Sequence, residues 1–258
     1  MNQLYVMLPC YNEERDIAPL IQKWVYLSES ILQHGYNLNI YCIDDKSIDS
    51  TNSVIRELAL FNSDKIHLIE HKVNMGLGGV LLTAFSYFNF NGKEGDICLL
   101  MDGDNTHDPK YVLDMLEKIN FDTDCIIASR YCKLSQIDGV PFYRVILSEC
   151  ARIFYSLLFH IKNVKDYTCG YRLYTYPIIH SAVEKWGKNF VEQRSFACMM
   201  EVLYKISLIG AKFIEIPFEL QYYNKQGQSK MHILKTIKES IFTVFYLKIK
   251  YKKKYFCD

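Results

Sequence analysis

The sequence predicts an α/β protein built on a mainly parallel sheet, and three observations carry that expectation. Short β-rich runs alternate with longer helix-like segments through the first 130 residues. The runs are continuously apolar rather than alternating, which implies burial on both faces and helices covering both sides of the sheet. Helix-like segments between them open on their own start signals.

The first run is "LYVML" (4–8), leading into "PCYNEE" with Glu13. The second, "LNIYCI" (38–43), ends in Asp44 and Asp45, and Asp49 then stands as an N-cap before "STNSVIRELALF". The third, "KIHLI" (65–69), precedes a tight turn at Gly76, Gly78 and Gly79, which form neither G-x-G-x-x-G nor a P-loop. The fourth, "DICLLM" (96–101), stops at Asp102-Gly103-Asp104; Asp108 and Pro109 then give a cap and a first-turn proline before "KYVLDMLEKI". The fifth is "DCIIAS" (124–129).

Beyond Arg130 the alternation loosens. A loop at 133–141 leads to an amphipathic segment, "FYRVILSECARIFYSLLFHI" (142–161). A strand-like "YRLYTY" (171–176), a helix-like "SFACMMEVLYKISLIG" (195–210) and a strand-like "KFIEIPFELQYY" (212–223) follow. The loop "NKQGQSK" opens a C-terminal helix-like segment with a basic tail, so the chain reads as a domain over 1–225 and an appendage over 226–258.

Composition narrows the classes of function. With 258 residues, half of them hydrophobic, the chain can bury a large α/β core, and a net charge of +1 gives no overall field for nucleic acid. The nine cysteines show no C-x-x-C pair and lie mostly in apolar runs, which reads as reduced, buried thiols in a cytosolic protein. No signal peptide is expected at the start, and no apolar run reaches the length of a membrane span.

In an open parallel sheet, ligands bind at the carboxyl ends of the strands. Glu13, Asp44, Asp45, Asp102 and Asp104 all fall at such ends. Carboxylates gathered there repel one another and need a cation or donors. Two of them at i and i+2 across a glycine can face one hard divalent ion, Mg²⁺ or Mn²⁺, which keeps sites free for nucleotide phosphates.

"LPCYNEE", "IDDKSIDST", "NMGLGG", "MDGDNTHDP", "ASRY" and "DYTCGYRLY" occur in the order and spacing of the inverting family 2 glycosyltransferases. The chain resembles that family from residue 3 to about 230, most closely the branch of dolichol-phosphate mannose synthase and bacterial polyprenyl-phosphate sugar transferases. The resemblance implies a GT-A fold, a Rossmann-like three-layer sandwich, with a C-terminal amphipathic helical appendage. It implies that Pro9, Tyr11, Glu13, Asp44 and Asp45 hold the base and ribose of a nucleotide-sugar donor, and that Asp102 and Asp104 bind the metal on its diphosphate. It places Arg130, Arg144 and Ser148 around an acceptor phosphate, and makes Asp166, Arg172, Glu201, Ser229 and Lys230 candidate sugar or acceptor contacts. Two positions depart from the pattern: Thr106 stands where that branch often has a metal-binding Gln, and Asn224 where R-x-x-G-x-S-K has its arginine.

The activity this implies is metal-dependent, inverting transfer of a hexose from GDP-mannose or a UDP-hexose to polyprenyl phosphate. A phosphate acceptor is already an anion near neutral pH and needs cations rather than a base; a hydroxyl acceptor needs a base, and Asp166 is the candidate. Two other readings therefore stay open: transfer to a saccharide or glycolipid hydroxyl, and a catalytically silent sugar-nucleotide-binding module. A polyprenyl acceptor resides in a bilayer, and segments 142–161 and 233–251, with Lys248, Lys250 and Lys252 to Lys254, suit adsorption to anionic lipid at the cytoplasmic face. Family members often continue into membrane-spanning helices, which leaves room here for a separate membrane subunit. Base and hexose do not follow from the sequence.

Overall fold

The computed structural model describes residues 1–222 and 233–252. The five apolar runs are β1 (Asn2–Cys10), β2 (Tyr36–Asp44), β3 (Ile66–Glu70), β4 (Ile97–Leu100) and β5 (Cys125–Ser129). With β7 (Arg172–Thr175) and β8 (Phe213–Pro217) they form a seven-stranded sheet in the order β3-β2-β1-β4-β7-β5-β8. The sheet grows from β1 through β2 to β3 on one side and resumes with β4 on the other. Its switch point therefore lies between β1 and β4, which makes the crevice beyond their carboxyl ends the place for a ligand.

Helices cover both faces. α1 (Ile17–Tyr26), α2 (Ser28–Gln33) and α3 (Thr51–Phe61) follow β1 and β2, and α4 (Gly76–Asn91) and α5 (Tyr111–Lys118) follow β3 and β4. The later helices are α6 (Phe142–Phe159), α7 (Tyr176–Trp186), α8 (Cys198–Ser207) and α9 (Ile233–Lys252). Leu4, Val6, Leu8, Ile40, Cys42, Leu99 and Ile127 are wholly buried, as two-sided burial of a parallel sheet requires. The cysteines among the described residues are free thiols, most of them buried.

Two departures from the sequence reading shape the site. β7 pairs antiparallel with both β4 and β5, Leu100 and Ile127 each facing Arg172. An antiparallel strand enters at the edge where parallel ones leave, so the loop 166–171 is carried to the carboxyl edge, between the ends of β4 and β5. The second departure is that "KFIEIPFELQYY" breaks in two. Phe218 turns inward against the rings of His107 and Tyr111, at 5.4 and 5.9 Å, and is buried. Past it, β9 (Glu219–Gln221) leaves the main sheet and pairs in parallel with β6 (Gln136–Asp138), inside what reads from sequence as a loop. The Gln221 amide donates to Thr106 O at 3.1 Å, which sets β9 over the loop after β4.

α9 carries two apolar stripes. Val244, Leu247 and Tyr251 face the protein, with Tyr251 edge-on to Trp186 at 6.2 Å. Burying each aliphatic residue stabilises by about 1.5–3 kcal/mol, enough to dock the helix. Ile237, Ile241, Phe245 and Ile249, spaced by four, form an exposed stripe with Phe242 beside it. Val244 and Leu247, grouped by sequence with the membrane-facing residues, thus belong to the core. No described helix is long and apolar enough to cross a membrane. The proposed boundary at 225/226 falls outside the described residues.

The turn that opens α4 is fixed by close approach. A Cβ on Gly78 would lie 1.7 Å from Gln193 O, and one on Gly76, at φ +72°, would lie 2.5 Å from Arg194 O. Gly78→Ala must push the 193–194 backbone away. It is expected to cost about 1–3 kcal/mol, a fall in Tm of roughly 2–12 °C by calorimetry; an unchanged Tm would mean that this approach is looser than described.

Candidate active site

Each of the loops after β1, β2 and β4 turns through a left-handed non-glycine residue: Asn12 (φ 54°), Lys46 (φ 64°) and Asn105 (φ 57°). Such backbone costs of order 1–3 kcal/mol and persists only where surroundings over-determine it. Here they do. The Asn12 amide donates to Ser47 Oγ and its side-chain oxygen accepts from the Ile48 amide, both at 2.9 Å. The buried Glu13 donates its amide to Thr51 Oγ1 at 2.7 Å, while Asp49, expected as the N-cap of α3, accepts from the Thr51 amide at 3.0 Å from one position further out, the N-cap being Ser50. Lys23 on α1 donates to Asn105 Oδ1 at 2.8 Å.

The acids after β2 are occupied with holding this frame. Asp44 accepts from the Ser47 amide at 3.0 Å and from Asn52 Nδ2 at 2.9 Å. Asp45 accepts from the amides of Met75 and Gly76, both at 2.8 Å, and its Oδ1 lies 2.7 Å from His71 Nδ1. With Nδ1 the donor, His71 Nε2 accepts from Thr83 Oγ1 at 2.9 Å. Asp45 therefore caps α4 from a neighbouring loop, where a carboxylate meets orphan amides and the positive end of the helix dipole. Expected against base and ribose, it is instead buried and spent on the protein itself. Pro9 is half-buried and Tyr11 exposed at the end of β1.

Asp102 and Asp104 stand half-buried at the switch point. The glycine between them is needed because a Cβ there would fall 2.6 Å from Pro9 O, at the end of the adjacent strand. Thr106 donates its hydroxyl to Asp104 Oδ1 at 2.7 Å and so orients that carboxylate. Gly170, in the loop before β7, lies against Asp102; a Cβ there would be 2.6 Å from Oδ1. No three His, Cys, Asp or Glu side chains among the described residues form a cluster that could enclose a metal. Two aspartates fit a divalent ion that takes its remaining oxygens from water and substrate phosphates, the habit of Mg²⁺ in nucleotide sites.

Arg130 and Asp166 are locked together. Nε and Nη2 of Arg130 donate to the two carboxylate oxygens at 2.8 and 2.7 Å, and the amides of Arg130, Thr168 and Cys169 add bonds of 3.1, 3.2 and 3.0 Å. Burial alone would raise the carboxyl, but the guanidinium and these amides hold Asp166 down at about 2. Arg130 also donates to Thr168 Oγ1 at 2.6 Å. The next residue, Tyr131, donates to the Ser148 carbonyl at 2.9 Å, bringing Arg130 beside α6. Arg144, one turn before Ser148 on the same face, donates to Tyr222 Oη at 3.0 Å.

Two of the expected contacts are wholly buried and bonded within the protein. Arg172 is wholly buried and donates to the carbonyls of Met199 and Tyr167 at 2.6 and 2.8 Å. Glu201 is equally buried, 2.6 Å from Lys205 Nζ, and accepts the Gln193 amide at 2.9 Å. Ser229 and Lys230 lie outside the described residues.

Sequence reasoning passed over two residues. His107 is buried near the aspartates, and desolvation pulls its imidazole below its ordinary value against the opposing charges of Asp102 and Asp104. Its position in "NTHDP" gave no sign of this. Arg194 lines a cleft of about 440 Å³ with Asn74, Met75, Gly76, Gln193, Ser195, Lys235 and Glu239; no motif marks it.

An open sheet with aspartates at its switch point and arginines beyond is the arrangement of a GT-A glycosyltransferase fold. The family model for glycosyl transferase family 2 matches residues 5–181, and the chain belongs to that family. It is 28% identical over 240 residues to polyprenol monophosphomannose synthase of Mycolicibacterium smegmatis, covering 93% of this chain and 84% of the relative. It is also 28% identical to dolichol-phosphate mannosyltransferase of Pyrococcus furiosus over 88% of this chain, which spans 58% of that protein. Among solved structures, glucosyl-3-phosphoglycerate synthase from Mycobacterium tuberculosis, with Mn²⁺, UDP and glucosyl-3-phosphoglycerate, superposes with a TM-score of 0.63 at 16% identity, over 95% of this chain and 79% of that one. Mannosyl-3-phosphoglycerate synthase from Rubrobacter xylanophilus gives 0.59 at 15% identity, over 98% and 75%. These likenesses show the GT-A fold.

Because Asp166 sits below its ordinary value of 3.8, the stability it lends is whole above that value and is lost as pH falls through about 2. Asp166→Asn is expected to cost about 3–5 kcal/mol at neutral pH and to flatten the acid limb between pH 4 and 2, read by urea melts across pH. An acid limb unchanged in the variant would contradict the pairing.

Proposed function

We propose that this chain transfers a hexose, with inversion, from a nucleotide-diphosphate sugar to polyprenyl phosphate. The observation that carries the choice of acceptor is the Arg130–Asp166 pair. The candidate base for a hydroxyl acceptor is buried, bidentately paired and held at about 2, so it is a poor proton acceptor at neutral pH. A phosphate acceptor asks for no base. Its anionic oxygen attacks the anomeric carbon, the bond from that carbon to the donor's phosphate oxygen breaks, and the nucleoside diphosphate leaves with the electron pair.

The names of the two curated relatives support this reading, as both are mannosyl transferases to a polyprenol or dolichol phosphate. GDP-mannose is accordingly the first donor to test, ahead of the UDP-hexoses. Asp102 and Asp104 would hold Mg²⁺ or Mn²⁺, which when bound offsets the charge that develops on the leaving diphosphate. Thr106 orients Asp104 in place of a further ligand. Arg130, Arg144 and the Ser148 hydroxyl would meet the acceptor phosphate, and arginine forks suit phosphate oxygens. The outer stripe of α9, with Lys248 on the same helix, would rest on anionic lipid at the cytoplasmic face, and the exposed Phe142, Ile146, Ile153 and Leu157 of α6 offer further apolar surface.

The test offers the protein GDP-mannose, UDP-glucose, UDP-galactose and UDP-GlcNAc, each with Mn²⁺ or Mg²⁺, with and without a short polyprenyl phosphate. Lipid-dependent release of nucleoside diphosphate is expected, falling at least about 100-fold in Asp104→Ala. Turnover driven by a saccharide hydroxyl and indifferent to lipid phosphate would overturn the reading. Thr106→Val is expected to raise the Mn²⁺ concentration for half-maximal rate about 10-fold or more, with the maximal rate recovered at high Mn²⁺.

A further inference from the structure

The stretch 191–195, between a short 3₁₀ turn (Gly187–Asn189) and α8, has no regular structure yet is held from several sides. From behind, the Glu201 carboxylate accepts the amides of Glu192 and Gln193, at 3.1 and 2.9 Å. The buried Lys205 donates to Asn189 O at 2.6 Å and to Glu192 Oε2 at 3.1 Å. From α9, Lys250 reaches both oxygens of Glu192 at 2.7 and 2.9 Å. In front, the Gly78 amide donates to Arg194 O at 3.1 Å, and the missing side chains of Gly76 and Gly78 admit the 193–194 carbonyls.

This packing changes what the glycine turn can do. A glycine turn at a helix start ordinarily offers its amides to a phosphate. Here the Met75 and Gly76 amides are taken by Asp45 and the Gly78 amide by Arg194 O. The turn supplies shape, a seat for 193–194, and the charge must come from elsewhere. What the seat presents is the Arg194 side chain, exposed into the cleft on a fixed backbone, with no carboxylate partner among the described residues. Lys235 and Glu239 of α9 line the same cleft, 3.9 Å apart, so the cleft holds two cations against one carboxylate among the described residues.

We propose that Arg194, seconded by Lys235, binds a phosphoryl group of the substrate in this cleft. It thereby provides the cation that Asn224 does not. The proposal rests on the reading of the chain as a nucleotide-sugar transferase. The phosphoryl group belongs either to the donor diphosphate or to the lipid phosphate, and one experiment separates them.

Wild type, Arg194→Met and Arg194→Lys are titrated calorimetrically with inorganic pyrophosphate, with GDP and UDP in Mn²⁺, with the matching nucleosides, and with farnesyl phosphate. Arg194 is exposed and its side chain bonds nothing among the described residues, so each variant is expected to melt like wild type. Arg194→Met should weaken pyrophosphate about 10- to 100-fold and leave nucleoside binding alone, with Arg194→Lys between. A parallel loss for GDP or UDP assigns the group to the donor; a loss confined to farnesyl phosphate assigns it to the acceptor. Unchanged affinity for all phosphate probes, or a wild type that binds none of them, overturns the proposal. Arg194-dependent pyrophosphate binding in a protein that binds neither nucleotide would sink the transferase reading while leaving the phosphoryl site standing.

Discussion

Gathering carboxylates at one edge of a sheet costs repulsion and desolvation, and the way this chain meets that cost organises everything around the site. Asp44 is met by an amide and an asparagine, Asp45 by two amides and His71, and Asp166 by a bidentate arginine and further amides. The Asp44 bonds brace its own loop, the Asp45 bonds tie the end of β2 to the loop after β3, and the Asp166 pair ties the loop before β7 to the end of β5. The acids thereby divide into those that hold the frame and the pair, Asp102 and Asp104, that stand half-buried at the switch point. Catalysis by fixed charge needs such a frame, because donors and cations act on a developing charge only if already in position.

The strands were legible because two-sided burial writes itself as unbroken apolar runs, and all five of the early ones were found. Direction was not. "YRLYTY" reads the same parallel or antiparallel, and only the fold shows that β7 runs backward and delivers Asp166 and Gly170 to the carboxyl edge. The break at Phe218 was hidden for a related reason: an apolar run does not say where it changes sheets. On α9 the apolar positions were seen as one face, whereas a helix apolar on two sides divides them between core and surface.

The motifs located the site but did not assign every residue in it. Acids at strand ends are visible as such, yet whether a carboxylate faces ligand or protein depends on which amides reach it. Asp45 differs little in sequence from Asp102, yet it turned inward to cap α4. Glu201 and Lys205, at i and i+4, could have been paired on spacing alone. Arg194 carries no sequence signal, because its importance comes from a backbone seated on glycines more than a hundred residues earlier. That seat also links α9 to the cleft, since Lys250 and Glu192 join the helix to the segment that bears Arg194.

The division of the acids is tested most directly by Mn²⁺ electron paramagnetic resonance in the presence of GDP or UDP. Wild type should bind one Mn²⁺ per chain, and Asp102→Asn and Asp104→Asn should each lose it while keeping the wild-type melting profile. Retention of the bound signal in both variants would contradict the account, by showing that the pair at the switch point is not where the metal and the diphosphate meet.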